Sequence, residues 1–126
     1  MSRVRDWLAQ AQNDFAWALD SFERKYYAQT CFIAQQVAEK ALKAIGYYRG
    51  ADLVKGHSCA AIAAALGING ELEDRMKELD QYYIPTRYPD ALPAGSPFET
   101  YTKRQAEEAL HSARLVLDLA ENTIQL

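Results

Sequence analysis

The sequence predicts an all-α protein, an antiparallel up-and-down bundle of four long helices plus one short helix, with a proline-rich loop before the last helix. Three observations carry this. Apolar residues recur at spacings of three and four through most of the chain, the period of a helix with one buried face. No segment of useful length alternates with period two, and β-branched residues are sparse. All four prolines fall between Pro85 and Pro97. Short connections elsewhere favour antiparallel neighbours.

The first helix is expected from about Ser2 to Lys25, with Trp7, Leu8, Ala11, Phe15, Ala18, Leu19 and Phe22 on its buried face. The second runs from Tyr26 or Tyr27 to Arg49 and stops at Gly50. By about 100° per residue, Ala34, Val37, Ala38, Ala41 and Ile45 share one side of it. Gln35, Gln36, Glu39, Lys40 and Lys43 form a polar stripe on the other. After a connection over Ala51 to Gly56, Ser58 can cap a short helix that runs through Leu66 and ends at Gly67. That helix is nearly all Ala and Ile, which predicts burial on most sides. Asn69 can cap a fourth helix with Leu72, Met76, Leu79 and Tyr83 as its stripe, leaving Arg75 and Asp80 among its solvated residues. The prolines then impose a loop, because proline lacks an N–H and disfavours helix at the preceding residue. Loops of this length are uncommon in compact domains and often functional. Thr102 and Gln105 form a capping-box pattern opening the last helix, whose apolar face is Ala106, Ala109, Leu110, Ala113, Val116, Leu117 and Ala120.

The 126 residues make one domain, 1–126, large enough for a single core. A net charge of −3 argues against gripping duplex DNA by charge, although a local basic pocket stays compatible with it. Cys31 and Cys59 sit among Ala and Ile and read as small buried apolar residues in a reducing compartment. No window reaches the roughly 18–20 apolar residues needed to span a bilayer, and Met1 to Trp7 lacks a signal-peptide core, so a cytoplasmic location is expected. No cofactor or metal is expected, since the sequence contains no GxGxxG, GxxxxGK or HExxH and no carboxylate cluster with metal spacing.

The second helix, reading Ala34-Gln35-Gln36-Val37-Ala38-Glu39-Lys40-Ala41-Leu42-Lys43-Ala44, resembles the signature helix of the HEPN family. Trp7-Leu8 with Ala11 and Asp14, Gly56-His57-Ser58, Arg87-Tyr88-Pro89-Asp90, and Tyr101 with Ala106, Ala109 and Ala113 extend the resemblance in order along roughly the whole chain. It implies a small helical homodimer that works as a nucleotide-binding or interaction module. It also implies a companion, a minimal nucleotidyltransferase, in a toxin–antitoxin-like pair. Many family members are metal-independent ribonucleases that pair an Arg with a His after a short spacing, assembled from two chains across a dimer cleft.

Three constellations could carry chemistry. Arg104 and His111 lie seven residues apart, within about 20° on one helix face. A His can act as acid or base and an Arg can stabilise phosphorane charge, which suits cleavage of single-stranded RNA. Both should face outward, as should Leu115 and Leu119, which points to a partner covering that face. The chemistry-free alternative is a surface or dimer-rim pair. In the Arg87-Tyr88-Pro89-Asp90 loop, Arg87 can clamp a phosphate and Tyr88 can stack on a base. Alternatively Arg87 and Asp90 pair to pin the loop. His57 reads most simply as a helix-start residue bonding local backbone, with a ligand contact as the alternative. The stripe of Gln35, Gln36, Glu39, Lys40 and Lys43 reads as a solvated face, an interface with a second subunit, or the lining of a nucleotide pocket; a third overall reading is a purely structural dimerisation module. Phe32 lies close to this face and favours its being covered.

Overall fold

The computed structural model describes residues 3–125. Among them there are helices and turns and no strand. The elements are α1 (Val4–Glu23), α2 (Tyr27–Tyr48), α3 (Cys59–Ala65), α4 (Glu71–Asp80), a 3₁₀ turn (Pro89–Ala91), α5 (Pro97–Thr100) and α6 (Lys103–Thr123). Three helices are therefore long, and α4 is half their length at 10 residues. The expected start of the first helix, Ser2, lies outside the described residues.

Cross-helix contacts fix the directions. Trp7 stacks on Tyr47 and Phe22 meets Tyr27 at a tilt, so α1 and α2 are antiparallel. Gln12 bonds Glu121 at 2.8 Å while Arg114 lies over Phe15, so α1 and α6 are antiparallel too. Arg75 reaches Ser112 at 3.1 Å and Tyr82 meets Tyr101 edge-on, which sets α4 against α6 in the same way. The result is an up-down-up-down bundle in which α2 and α6 touch across the short diagonal, between α1 on one side and α4 on the other.

That diagonal explains the burial of α2. It packs against α1, α3, α4, α5 and α6 at once. Ala34, Val37, Ala38, Ala41, Leu42, Ala44 and Ile45 are fully buried, and Ala106, Ala109, Ala113 and Ala120 line the facing side of α6 with little or no exposure. Alanine on both helices keeps long side chains out of the seam and lets their axes approach closely. Gly46 carries the same logic to the end of α2, where an added Cβ would lie 2.8 Å from Val54 Cγ2.

Helix ends follow a common device. Backbone bonds from Gly50 to Tyr47 and from Ala51 to Gly46 close α2, and bonds from Gly67 to Ala64 and from Ile68 to Ala63 close α3. Gly50 (φ 97°) and Gly67 (φ 77°) sit at the left-handed position this closure needs. In α1 the same closure, Lys25 to Phe22 and Tyr26 to Ser21, places Lys25 at φ 67°. Thr102 and Gln105 cap α6 as expected.

Several sequence expectations change. Gly70, not Asn69, is the first capping residue of α4, and no side chain bonds there. The short α3 is covered on one side, with Ala61, Ala64 and Ala65 exposed. Leu19 is 44 % exposed, off the buried face of α1. The proline segment is loop for most of its length, but Pro97 opens one helical turn with a Ser96/Glu99 capping box.

Candidate functional site

The expected polar stripe of α2 is not solvated. Gln35, Glu39 and Lys43 are buried, and Gln36 and Lys40 half-buried, because the neighbours of α2 close over that side as well. Each buried polar group has a partner, as burial demands. Gln35 Nε2 donates to the His57 carbonyl at 2.8 Å and lies within 3.4 Å of Asp80 Oδ1. Gln36 Nε2 donates to Gln35 Oε1 at 2.8 Å. Lys40 forms an ion pair with Asp14 of α1, which Gln10 also holds. Lys43 Nζ donates to Glu39 Oε2 at 3.1 Å and lies 5.4 Å from the Trp7 ring centre. Gln35, Glu39 and Lys43 are therefore committed within the chain, while Gln36 and Lys40 keep part of their surface.

The stripe surfaces at one edge. Both Glu39 oxygens stand 3.3 Å from His57 Nδ1, while the His57 side chain keeps 63 % of its exposure. The His57 ring bonds this carboxylate and not local backbone. It stacks on Tyr83, centres 5.3 Å apart and planes 14° apart. Tyr83 also contacts Phe32, and Arg87 lies over Phe32, Tyr83 and Tyr88 at 4.4, 4.9 and 5.2 Å. Phe32 is thus covered by the segment after α4. Arg87 Nε and Nη2 both donate to the Tyr83 carbonyl, at 2.9 and 2.6 Å. That bond, not a pair with Asp90, anchors the loop; Asp90 is exposed in the 3₁₀ turn. The chain thus gathers Gln36, Glu39, Lys43, His57, Phe32, Tyr83, Arg87 and Tyr88 into one continuous cluster of fixed cations and aromatic faces.

Tyr83 and Asp80 are the residues that the sequence reading under-used. Asp80 is no solvated carboxylate: its oxygens accept from Cys59 N at 2.7 Å, Ala60 N at 3.0 Å and Ser58 Oγ at 2.8 Å. It thereby ties the start of α3, and with it His57, to the end of α4. Arg75 is likewise mostly buried, held by Ser112, Glu71 and Glu108. A Ser-start helix and an acid some twenty residues on carry no local pattern that would pair them.

Arg104 and His111 occupy the outer face of α6, both exposed. Arg104 lines a cavity of about 390 Å³ between α4 and α6 with Glu78, Tyr82, Gln105 and Glu108. Burial pushes the Tyr82 hydroxyl up to about 12, with Glu78 and Glu108 adding to the rise. His111 does not line that cavity. Two helical turns separate the pair by about 10 Å along the axis. Leu115 on the same helix is 37 % exposed. Burial likewise pushes the Cys31 thiol up to about 12 and the Cys59 thiol well above its ordinary value, so both behave as buried apolar groups. No group of three or more metal-ligating side chains occurs among the described residues, and no described helix is long and apolar enough to cross a membrane.

Architecture and surface together define a small all-α bundle whose polar signature helix is largely internal and whose exposed histidines and arginines lie at its rim. The chain belongs to the HEPN domain family: the family model matches residues 4–123. It is 43 % identical to TT1696 from Thermus thermophilus, whose crystal structure superposes with a TM-score of 0.92 over 98 % of this chain and 100 % of that one. ST0689, described as an archaeal HEPN homologue, is 33 % identical with a TM-score of 0.81 over 99 % and 100 % of the two chains. A curated protein of Methanocaldococcus jannaschii, named "Putative toxin MJ1304", is 25 % identical over 94 % of this chain and 86 % of its own length.

Proposed function

We propose that this protein is the HEPN half of a toxin–antitoxin-like pair, a homodimeric nucleotide-binding or interaction module that works beside a minimal nucleotidyltransferase. The observation that carries the reading is the rim cluster. Arg87 lies against three aromatic rings with two of its donors committed to the Tyr83 carbonyl, which orders its remaining donors for an anion. Tyr88 is 52 % exposed beside it and offers a face to a base. Similarity to the curated protein named "Putative toxin MJ1304" supports the pairing. A second reading, a metal-independent endoribonuclease, draws on Arg104 and His111, both exposed on one face of α6, with a second chain completing the site across a dimer cleft.

One set of measurements separates these. Saturating ATP or a cognate nucleotidyltransferase should raise the melting temperature of the protein, a ligand at about 100 times its Kd adding about 2.7 kcal/mol, and Arg87→Ala should remove the ATP shift. The absence of a shift with both would leave a structural dimer. Cleavage of single-stranded RNA in EDTA that His111→Ala abolishes, with the helical spectrum intact, would establish the ribonuclease; unchanged cutting in that variant would remove it.

A further inference from the structure

The Glu39–His57 pair joins a buried carboxylate to an exposed imidazole. Glu39 is 4 % exposed, and its carboxylate is held by Lys43 Nζ at 3.1 Å and Gln36 Nε2 at 3.5 Å. Both of its oxygens face His57 Nδ1 at 3.3 Å. A carboxylate there selects the tautomer with the proton on Nδ1 and leaves the Nε2 lone pair outward, on a side chain that is 63 % exposed. Stacking on Tyr83 fixes the ring plane. An imidazole oriented at its inner nitrogen by a buried acid, with its outer nitrogen open, is the arrangement of a general base.

We propose that His57 is a general acid–base catalyst for the hydrolysis of nucleoside phosphoesters, with Glu39 as its positioning residue. In the step, a water gives a proton to Nε2 as its oxygen bonds to phosphorus. The P–O bond to the alcohol breaks, and the departing oxygen takes the proton back from Nε2. One water is consumed and one P–O bond replaces another, the departing oxygen leaving as a free alcohol or, in a 2′,3′-cyclic phosphate, staying on the sugar as a hydroxyl, and no electrons are transferred. Arg87, resting on the same Tyr83 ring, supplies a fixed cation for the phosphate, and Tyr88 a face for the base. The groups facing His57 are Glu39 and Lys43 from α2, Asp80 at the end of α4 through Ser58, and Tyr83 and Arg87 beyond it. This centre is separate from Arg104 and His111, and it rests on the nucleotide-binding reading of the rim cluster.

The test is hydrolysis of uridine 2′,3′-cyclic phosphate and bis(p-nitrophenyl) phosphate by the full chain in EDTA, with UMP-induced thermal shifts measured in parallel. His57→Gln, at an exposed position, should lower kcat by about 10²-fold or more while leaving KM and the UMP shift within about two-fold. Glu39→Gln should lower kcat and move the acidic limb of the pH–rate profile, a change that a purely structural role would not produce. Should Glu39→Gln fail to fold, the His57 variant still decides. Wild-type turnover in His57→Gln, or no turnover by a protein that shows the UMP shift, overturns the catalytic proposal and leaves the binding reading standing. Absence of both turnover and shift overturns the two together.

Discussion

Cys31 and Cys59 show how a single buried atom ties stability to pH. Both thiols are neutral in the fold, Cys31 pushed up to about 12 by desolvation, and the Tyr82 hydroxyl likewise to about 12. In the unfolded chain thiols ionise near 8.5 and phenols near 10. The stability these groups supply is therefore complete below the unfolded values and is lost as pH climbs towards the folded ones. The melting temperature should fall steadily between about pH 9 and pH 12, and less steeply in Cys31→Ala. A melting temperature unchanged across that window would contradict the burial of these groups. At this scale the sequence spoke well for cysteines, whose apolar neighbours are adjacent in the chain. It misplaced Asp80, Arg75 and His57, whose partners lie on other elements. A polar residue's solvation depends on what folds over it, and periodicity reports only the helix on which it sits.

The ends of the helices tell a similar story. Gly50 and Gly67 were legible stops, because a residue without Cβ in the left-handed region is what the closing turn requires. At the end of α1 the same turn is closed by Lys25 at φ 67°, a conformation that costs an L-residue about 1 kcal/mol. Lys25→Gly should therefore raise the unfolding free energy by up to about 1 kcal/mol in urea titration, where most substitutions lower it. A loss of stability would show that the Lys25 side chain contributes something its exposed position does not suggest. The single turn Pro97–Thr100 was hidden for a related reason. Proline forbids helix before itself yet favours the first helical position, so a cluster of four prolines reads as loop while one of them starts a helix.

For the molecule as a whole, the all-helical bundle and its antiparallel order were legible, because they follow from three strongly periodic stretches and short connections. The enclosure of α2 was not. Its two stripes read as inside and outside, but a helix on the short diagonal has no outside, and the lysine, glutamate and glutamine of its second stripe are satisfied within the chain. Spacing along α2 and α6 is set by alanine, so Ala38→Leu or Ala113→Leu should cost about 1–3 kcal/mol by forcing the two axes apart. Thermal unfolding of either variant at the wild-type temperature would contradict the tight diagonal. There is a consequence for how such a protein meets others. The most recognisable stretch of this sequence is mostly enclosed in its own fold, with only part of Phe32, Gln36 and Lys40 reaching the surface. What stays exposed is the imidazole that protrudes at the edge of the concealed stripe, the guanidinium beside it, and the outer flank of the final helix. Any partner would have to recognise those surfaces, and substitutions in the enclosed scaffold would reach it only through the spacing they set.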